Sequence, residues 1–241
     1  MQDQEANTQD RLQLFGTWRF FRDGAPISLC LRQQRLVAAV AILGPSNRNF
    51  LAGMLWPETT DSRSMSSLRV SVCLVSKKIP GMLVCDGTTL SLHEKVIVDL
   101  HRTWQLINHV LGADSGEASD RDVSELQKGE LLPGWYEDFV VEEQNLLRAN
   151  KLQCFTRIAR RALEHGQHDV AVLASRAALA LGPYDDEALI ILLHAEQRLG
   201  NFSGARKIYQ EYADKIRADL GIAPTAAMTA LVIDTHPPYA I

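Results

Sequence analysis

The sequence predicts a multidomain chain, a small α/β domain followed by an all-α domain. Three observations carry this. Strand-like runs, three helical patterns and a hairpin signal succeed one another before residue 95. From Val98 onward the apolar spacing is helical throughout. A 34-residue period then links Gly166 to Gly200 and Ala171 to Ala205.

The first elements are the runs "LQLFG", "TWRFF" and "ISLCL". The last two flank Asp23-Gly24, a hairpin signal. Residues 33–43 then place Leu36, Val37, Val40 and Leu43 at helical spacing until "GPSN" breaks the pattern. A short helix over 50–55 ends at Trp56-Pro57, and Asp61 or Ser62 is placed to cap a third. Beyond Pro80-Gly81, "MLVCDGTTLSL" reads as two strands around Asp86-Gly87. Three helices followed by a hairpin are the plan of a winged helix-turn-helix, over residues 11–94.

The second part, 98–232, opens with Leu100, Trp104, Ile107 and Leu111 at helical spacing. A polar Gly/Ser-rich loop (112–120) and the aromatic turn "ELLPGWYEDF" precede a long helix from about residue 137 to 165. "EHGQHDVAVLASRAAL" then parallels "RLGNFSGARKIYQEYA". A helix–turn–helix repeat of this length is tetratricopeptide-like. Two matched repeats fall short of the ~3 such arrays need, so the long helix must complete the stack.

Composition narrows the class. Of 241 residues 46% are hydrophobic and 22% charged, ordinary for a globular protein. No apolar run approaches the ~18 residues of a membrane span, and the polar, acidic N-terminus lacks a secretory signal pattern. Cys30, Cys73, Cys85 and Cys154 are far apart in sequence, which fits buried free thiols in a reducing cytoplasm. The net charge of -4 conceals an asymmetry: residues 11–110 hold 12 Lys and Arg against 6 Asp and Glu, residues 111–241 hold 13 against 20. The basic part is the candidate for a polyanionic partner.

The stretch 61–78, "DSRSMSSLRVSVCLVSKK", decides the functional reading. Its valines alternate as in a strand, yet no Gly or Pro interrupts the run from Ser62 to Ile79, and its length exceeds an ordinary strand. As a helix it gathers Leu68, Val72, Val75 and Ile79 within about 60°. The other side carries Ser62, Arg63, Ser66, Arg69, Val70, Cys73 and Lys77, with Lys78 nearer the edge. Short side chains permit close approach to a major groove, and Arg or Lys meets guanine edges and phosphates. Ser62 and Ser66 suit a helix N-terminus, whose amides can meet a phosphate. The bland alternative is a solvated helix face.

Three segments resemble the antibiotic-regulatory-protein (SARP) type of bacterial transcription activator. "LRQQRLVAAVAIL" (31–43) with "LAGMLWPE" (51–58) is similar to the family's first two helices. "SSLRVSVCLVSKKI" (66–79) is similar to its recognition helix. "ELLPGWYEDFVVEEQNLLR" (130–148) and "DLGIAPT" (219–225) are similar to the bacterial transcriptional activator domain. The resemblance implies an OmpR-type winged helix that binds double-stranded DNA, side-by-side protomers forming a homodimer on direct repeats, contact with RNA polymerase holoenzyme, and no cofactor. Two departures stand out. Leu74 and Ser76 replace frequently basic residues, and the wing "DGTTLSL" lacks both Arg and an aromatic residue. Fewer phosphate contacts weaken binding and flatten its salt dependence.

No enzyme motif is present: no phosphate-binding loop ending in Lys-Ser/Thr, no His-Glu-x-x-His, no Gly-x-Ser-x-Gly. His165 and His168 lie at a repeat turn without a third ligand, which disfavours a metal site. Asp138, Glu142 and Glu143 with Arg148 read as helix-surface charge. Trp135, Tyr136 and Phe139 read as a ligand patch or, preferably, as core aromatics locking the long helix onto the repeats. Asn201-Phe-Ser matches a glycosylation pattern that has no role in a cytoplasmic protein. The expectation is a cytoplasmic DNA-binding transcription activator. The competing one is a tetratricopeptide-type interaction scaffold whose winged helix has lost DNA binding.

Overall fold

The computed structural model describes residues 9–112 and 119–233. The predicted loop 112–120 therefore lies largely outside the described residues. The chain forms two units, residues 1–104 with 129–146, and residues 105–128 with 147–241.

The first unit begins with β1 (Asp10–Gln13), β2 (Arg19–Arg22) and β3 (Ala25–Ile27). β1 and β2 pair antiparallel, setting Leu12 opposite Phe20, both buried. The β2–β3 turn takes positive φ at Asp23 (52°) and Gly24 (81°), the backbone a tight type I′ hairpin demands. Next come α1 (Leu31–Leu43), β4 (Ser46–Asn47), α2 (Arg48–Leu55), α3 (Asp61–Lys78), β5 (Leu83–Asp86) and β6 (Thr89–Leu92). α3 packs on α1 and α2, and α1 lies against β6. This is a winged helix whose β5–β6 hairpin is the wing.

Three features exceed the sequence reading. "GPSN" does break α1, but Ser46 and Asn47 then pair with Leu90 and Thr89 as a third strand of the wing. β7 (Val96–Val98) runs parallel to β1 and completes a sheet ordered β3-β2-β1-β7. A three-residue strand has too little sequence to show a period, and its partner lies some 85 positions away. The "ELLPGW" segment also joins this unit: Leu131 bridges Phe15, and the Leu132 amide donates to the Leu14 carbonyl at 2.9 Å.

α4 (Asp99–Leu111) and α6 (Asp138–Glu164) each contribute residues to both units, their boundaries falling at Trp104 and Leu146. The second unit adds α5 (Asp120–Leu126), α7 (His168–Leu181), α8 (Asp186–Arg198), α9 (Phe202–Leu220) and α10 (Ala226–Ile233). The 34-residue period is physical. Gly166 and Gly200 both turn with positive φ (74° and 77°). One residue later the Gln167 and Asn201 amides each donate to a carbonyl five residues back, Ala162 and Glu196, at 2.8 Å. Ala171 and Ala205 are both buried at the helix-packing face. Within this unit α6 buries Cys154, Phe155, Ile158, Ala159 and Ala162. Arg157 caps the end of α4 through the carbonyls of Leu111 (3.0 Å) and Gly112 (2.9 Å). α5 and α10 carried no expectation from the sequence. "DLGIAPT" joins α9 to α10: Gly221 ends α9 in the left-handed conformation, and the Thr225 hydroxyl accepts from the Met228 amide.

Candidate nucleic-acid interface

α3 is a helix along its whole length, which settles the choice of period. Its inner side buries Leu68, Val72, Val75 and Ile79, as their spacing predicts. Ser64 and Ser71 are also buried there; their hydroxyls bond back to the Asp61 and Ser67 carbonyls at 2.9 Å, so burial leaves no polar group unpaired. The cap differs from expectation. Thr60 is the N-cap, without a side-chain capping bond, so Asp61 and Ser62 fall in the first turn.

All eight candidate residues are exposed: Ser62, Arg63, Ser66, Arg69, Val70, Cys73, Lys77 and Lys78. Helical geometry places Ser62, Ser66, Arg69, Cys73 and Lys77 within an arc of about 80°, with Arg63 and Val70 on its flank. Lys78 stands apart, about 100° round from Lys77. The Ser66 hydroxyl donates to the Ser62 carbonyl at 2.9 Å, so it presents lone pairs outward. Asp61 is the single acid in α3 against four cations. None of Arg63, Arg69, Lys77 and Lys78 is in an ion pair among the described residues.

The surroundings hold this face in place. Arg22 forks onto the buried Asp10 carboxylate (2.8 and 2.6 Å) and donates to the Pro80 carbonyl (3.0 Å), tying the first sheet to the exit of α3. At the wing the Arg48 amide donates to the Thr88 carbonyl at 2.8 Å, and Asn47 caps α2 through the Asn49 amide. Arg48 is a residue the sequence reading missed. It is half-buried beside the wing turn, and its Nε is buried with no hydrogen-bond partner among the described residues. Its signal in the sequence was a lone Arg directly after the helix-breaking "GPSN". The wing's exposed residues, Val84 to Thr88, offer a carboxylate and no cation.

Other candidates fall elsewhere. Trp135, Tyr136 and Phe139 belong to the first unit. Phe139 is buried, Trp135 half-buried and Tyr136 86% exposed. They border an open concavity of about 530 Å³ with Leu31, Arg35 and Met54. Glu143 is not surface charge: it accepts from the Trp104 indole N–H, and burial raises its pKa above the usual carboxylate range. Arg148 donates to the Leu181 carbonyl at 2.7 Å instead of pairing with those acids. Three cysteines contradict the buried-thiol expectation. Cys30, Cys73 and Cys85 are exposed, before α1, on the outer side of α3 and on the wing; Cys154 alone is buried. Asn201 caps α9 through the Gly204 amide, and its Nδ2 bonds Glu196. Among the described residues no three His, Cys, Asp or Glu cluster as metal ligands, and no helix is long and apolar enough to cross a membrane.

Residues 114–233 match the family model of the bacterial transcriptional activator domain. The chain carries that domain. In this chain the domain follows a winged helix. It is 25% identical to the regulatory protein AfsR of Streptomyces coelicolor over 95% of its own length, and spans 24% of that protein. It also matches the structure of Mycobacterium tuberculosis EmbR, solved in complex with a low affinity phosphopeptide. That match has a TM-score of 0.70 at 20% identity, over 95% of this chain and 66% of the other. At that identity the likeness concerns the fold, a winged helix followed by a helical domain.

Proposed function

We propose that the chain is a sequence-specific regulator of transcription, an activator that binds double-stranded DNA in the cytoplasm and contacts RNA polymerase holoenzyme. DNA binding is assigned to residues 11–94 and activation to 98–232. The observation that carries the reading is the outer side of α3: Arg63, Arg69 and Lys77, in no ion pair among the described residues, stand among short polar side chains on a helix held from behind by its own core, with Lys78 at the edge. Arg63, Arg69 and Lys77 meet base edges or the flanking phosphates; Lys78 meets backbone. Ser62 and Ser66 lie where the helix enters the groove, with Val70 and Cys73 in van der Waals contact. Two protomers side by side on direct repeats add their contacts to a thin single-protomer interface.

Gel shifts of the full chain on genomic fragments at graded salt test this. Retarded bands that fade as salt rises are expected. Absence of any shift at low salt refutes it.

The acidic, unarmed wing and the apolar Leu74 favour a second reading, an interaction scaffold working through its helical repeats. In that case Arg69→Ala and Lys77→Ala leave both the cellular phenotype and partner pull-down unchanged.

A further inference from the structure

The outer side of α3 holds a feature that charge does not explain. Val70 and Leu74 are 51% and 45% exposed, one helical turn apart. Single exposed apolar residues are ordinary on any surface. These two are neighbours on one helix flank, so they form a continuous apolar strip. The strip runs beside Arg69, Cys73 and Lys77, and neither cation is in an ion pair among the described residues. A purely apolar partner would strand those charges, whereas a polyanion with embedded methyl groups satisfies both parts of the surface.

We propose that Val70 and Leu74 read thymine C5-methyl groups in the major groove, so that the operator carries two thymines about two base steps apart. The inference rests on the DNA-binding reading above and specifies its target. The thymine methyl is the one apolar group among the base edges of that groove. Cytosine there offers only a C5–H in place of the methyl and presents an N4 donor where thymine has its O4 acceptor, so the apolar contact is lost. Residues four apart on a helix are separated by about 6 Å along the axis, close to two base steps at about 3.4 Å each. Leu74, where related helices often carry a base, thereby exchanges a charge contact for a shape-and-methyl contact. That alters which sequence is preferred as well as lowering the salt dependence.

The test uses the full chain and the tightest duplex it selects from a random-sequence library. Each thymine is replaced singly by deoxyuridine, which pairs identically but lacks the methyl group. Binding is followed by fluorescence anisotropy. The expected result is a loss of about fourfold at two positions, the worth of about one buried methyl each. Leu74→Ala should bind the thymine and uracil duplexes equally at one of these positions, and Val70→Ala at the other. The deoxyuridine series on the unaltered chain needs no variant to fold. If duplexes are selected but every replacement is neutral, or the losses persist in both variants, the methyl reading is wrong while DNA binding stands. If no duplex is selected at all, both fall.

Discussion

The carboxylate of Asp99 grips the backbone amide of Leu14: both of its oxygens lie 3.0 Å from that N–H. One oxygen also accepts from the Phe15 amide at 3.1 Å, and the other from Leu100 at 2.8 Å. Asp99 follows β7 directly, so the parallel β1–β7 pairing is locked where the strands end. The amides it holds belong to buried residues, Leu14, Phe15 and Leu100.

Asp99→Ala should therefore destabilise the chain by about 1–3 kcal/mol, the cost of stranding buried donors. Asp99→Asn retains an acceptor oxygen and should lose less. Urea unfolding with a common slope measures both; equal loss in the two variants would mean that charge, not acceptor count, matters.

Glu143 should make stability depend on pH. Its pKa is raised in the folded chain, chiefly by burial, against the lowering effect of the Trp104 bond. A carboxyl raised on folding costs stability as pH climbs from its unfolded value, about 4.3, through its folded one. Glu143→Gln keeps an acceptor for Trp104 and removes that cost. Its Tm relative to the unaltered chain should rise from pH 4 to pH 7. A difference that stays flat or falls contradicts the assignment.

The four thiols should separate by reactivity. Burial pushes the Cys154 thiol up to about 12, opposed in part by Arg157. Thiolate is the reactive form, so Cys154 should resist maleimide until the chain unfolds, while Cys30, Cys73 and Cys85 label in the folded state. With a selected duplex present, labelling of Cys73 should slow, as its place on α3 requires. Unchanged labelling of Cys73 on saturating DNA would remove α3 from the interface.

Arg69→Ala and Lys77→Ala should each weaken DNA binding and reduce the slope of log affinity against log salt by about one if the lost contact is to phosphate. If the contact is to a base, specificity relaxes at one position instead. Equal affinity and slope in both variants would leave the cations as a solvated surface.

Much of the fold was legible because it is written in short-range periodicity. α3 declares itself through Leu68, Val72, Val75 and Ile79, and its outward residues follow by subtraction. The Asp23-Gly24 and Asp86-Gly87 turns and the 34-residue recurrence of Gly and Ala are equally local. Less legible were residues whose role depends on a distant partner. Glu143 looks like any helix carboxylate until Trp104 is brought to it. Arg48 gains meaning from the wing turn that folds back onto it. The cysteines were misjudged because a thiol's usual burial is a statistical habit, and neighbours decide each case.

The sequence by itself determined the three helices and hairpin of the winged helix, the helical repeat, the amphipathic side of α3, the charge asymmetry and the family resemblance, most of them carried by residues within a few turns of each other. The tertiary structure decided that β7 closes the first sheet, that Asp99 secures Leu14, and that residues 129–146 group with the winged helix while the rest of α6 serves the repeats. The reason is physical. Helical and turn preferences act between near neighbours, whereas strand pairing and the satisfaction of buried amides join residues tens of positions apart, and only the folded chain brings them into reach.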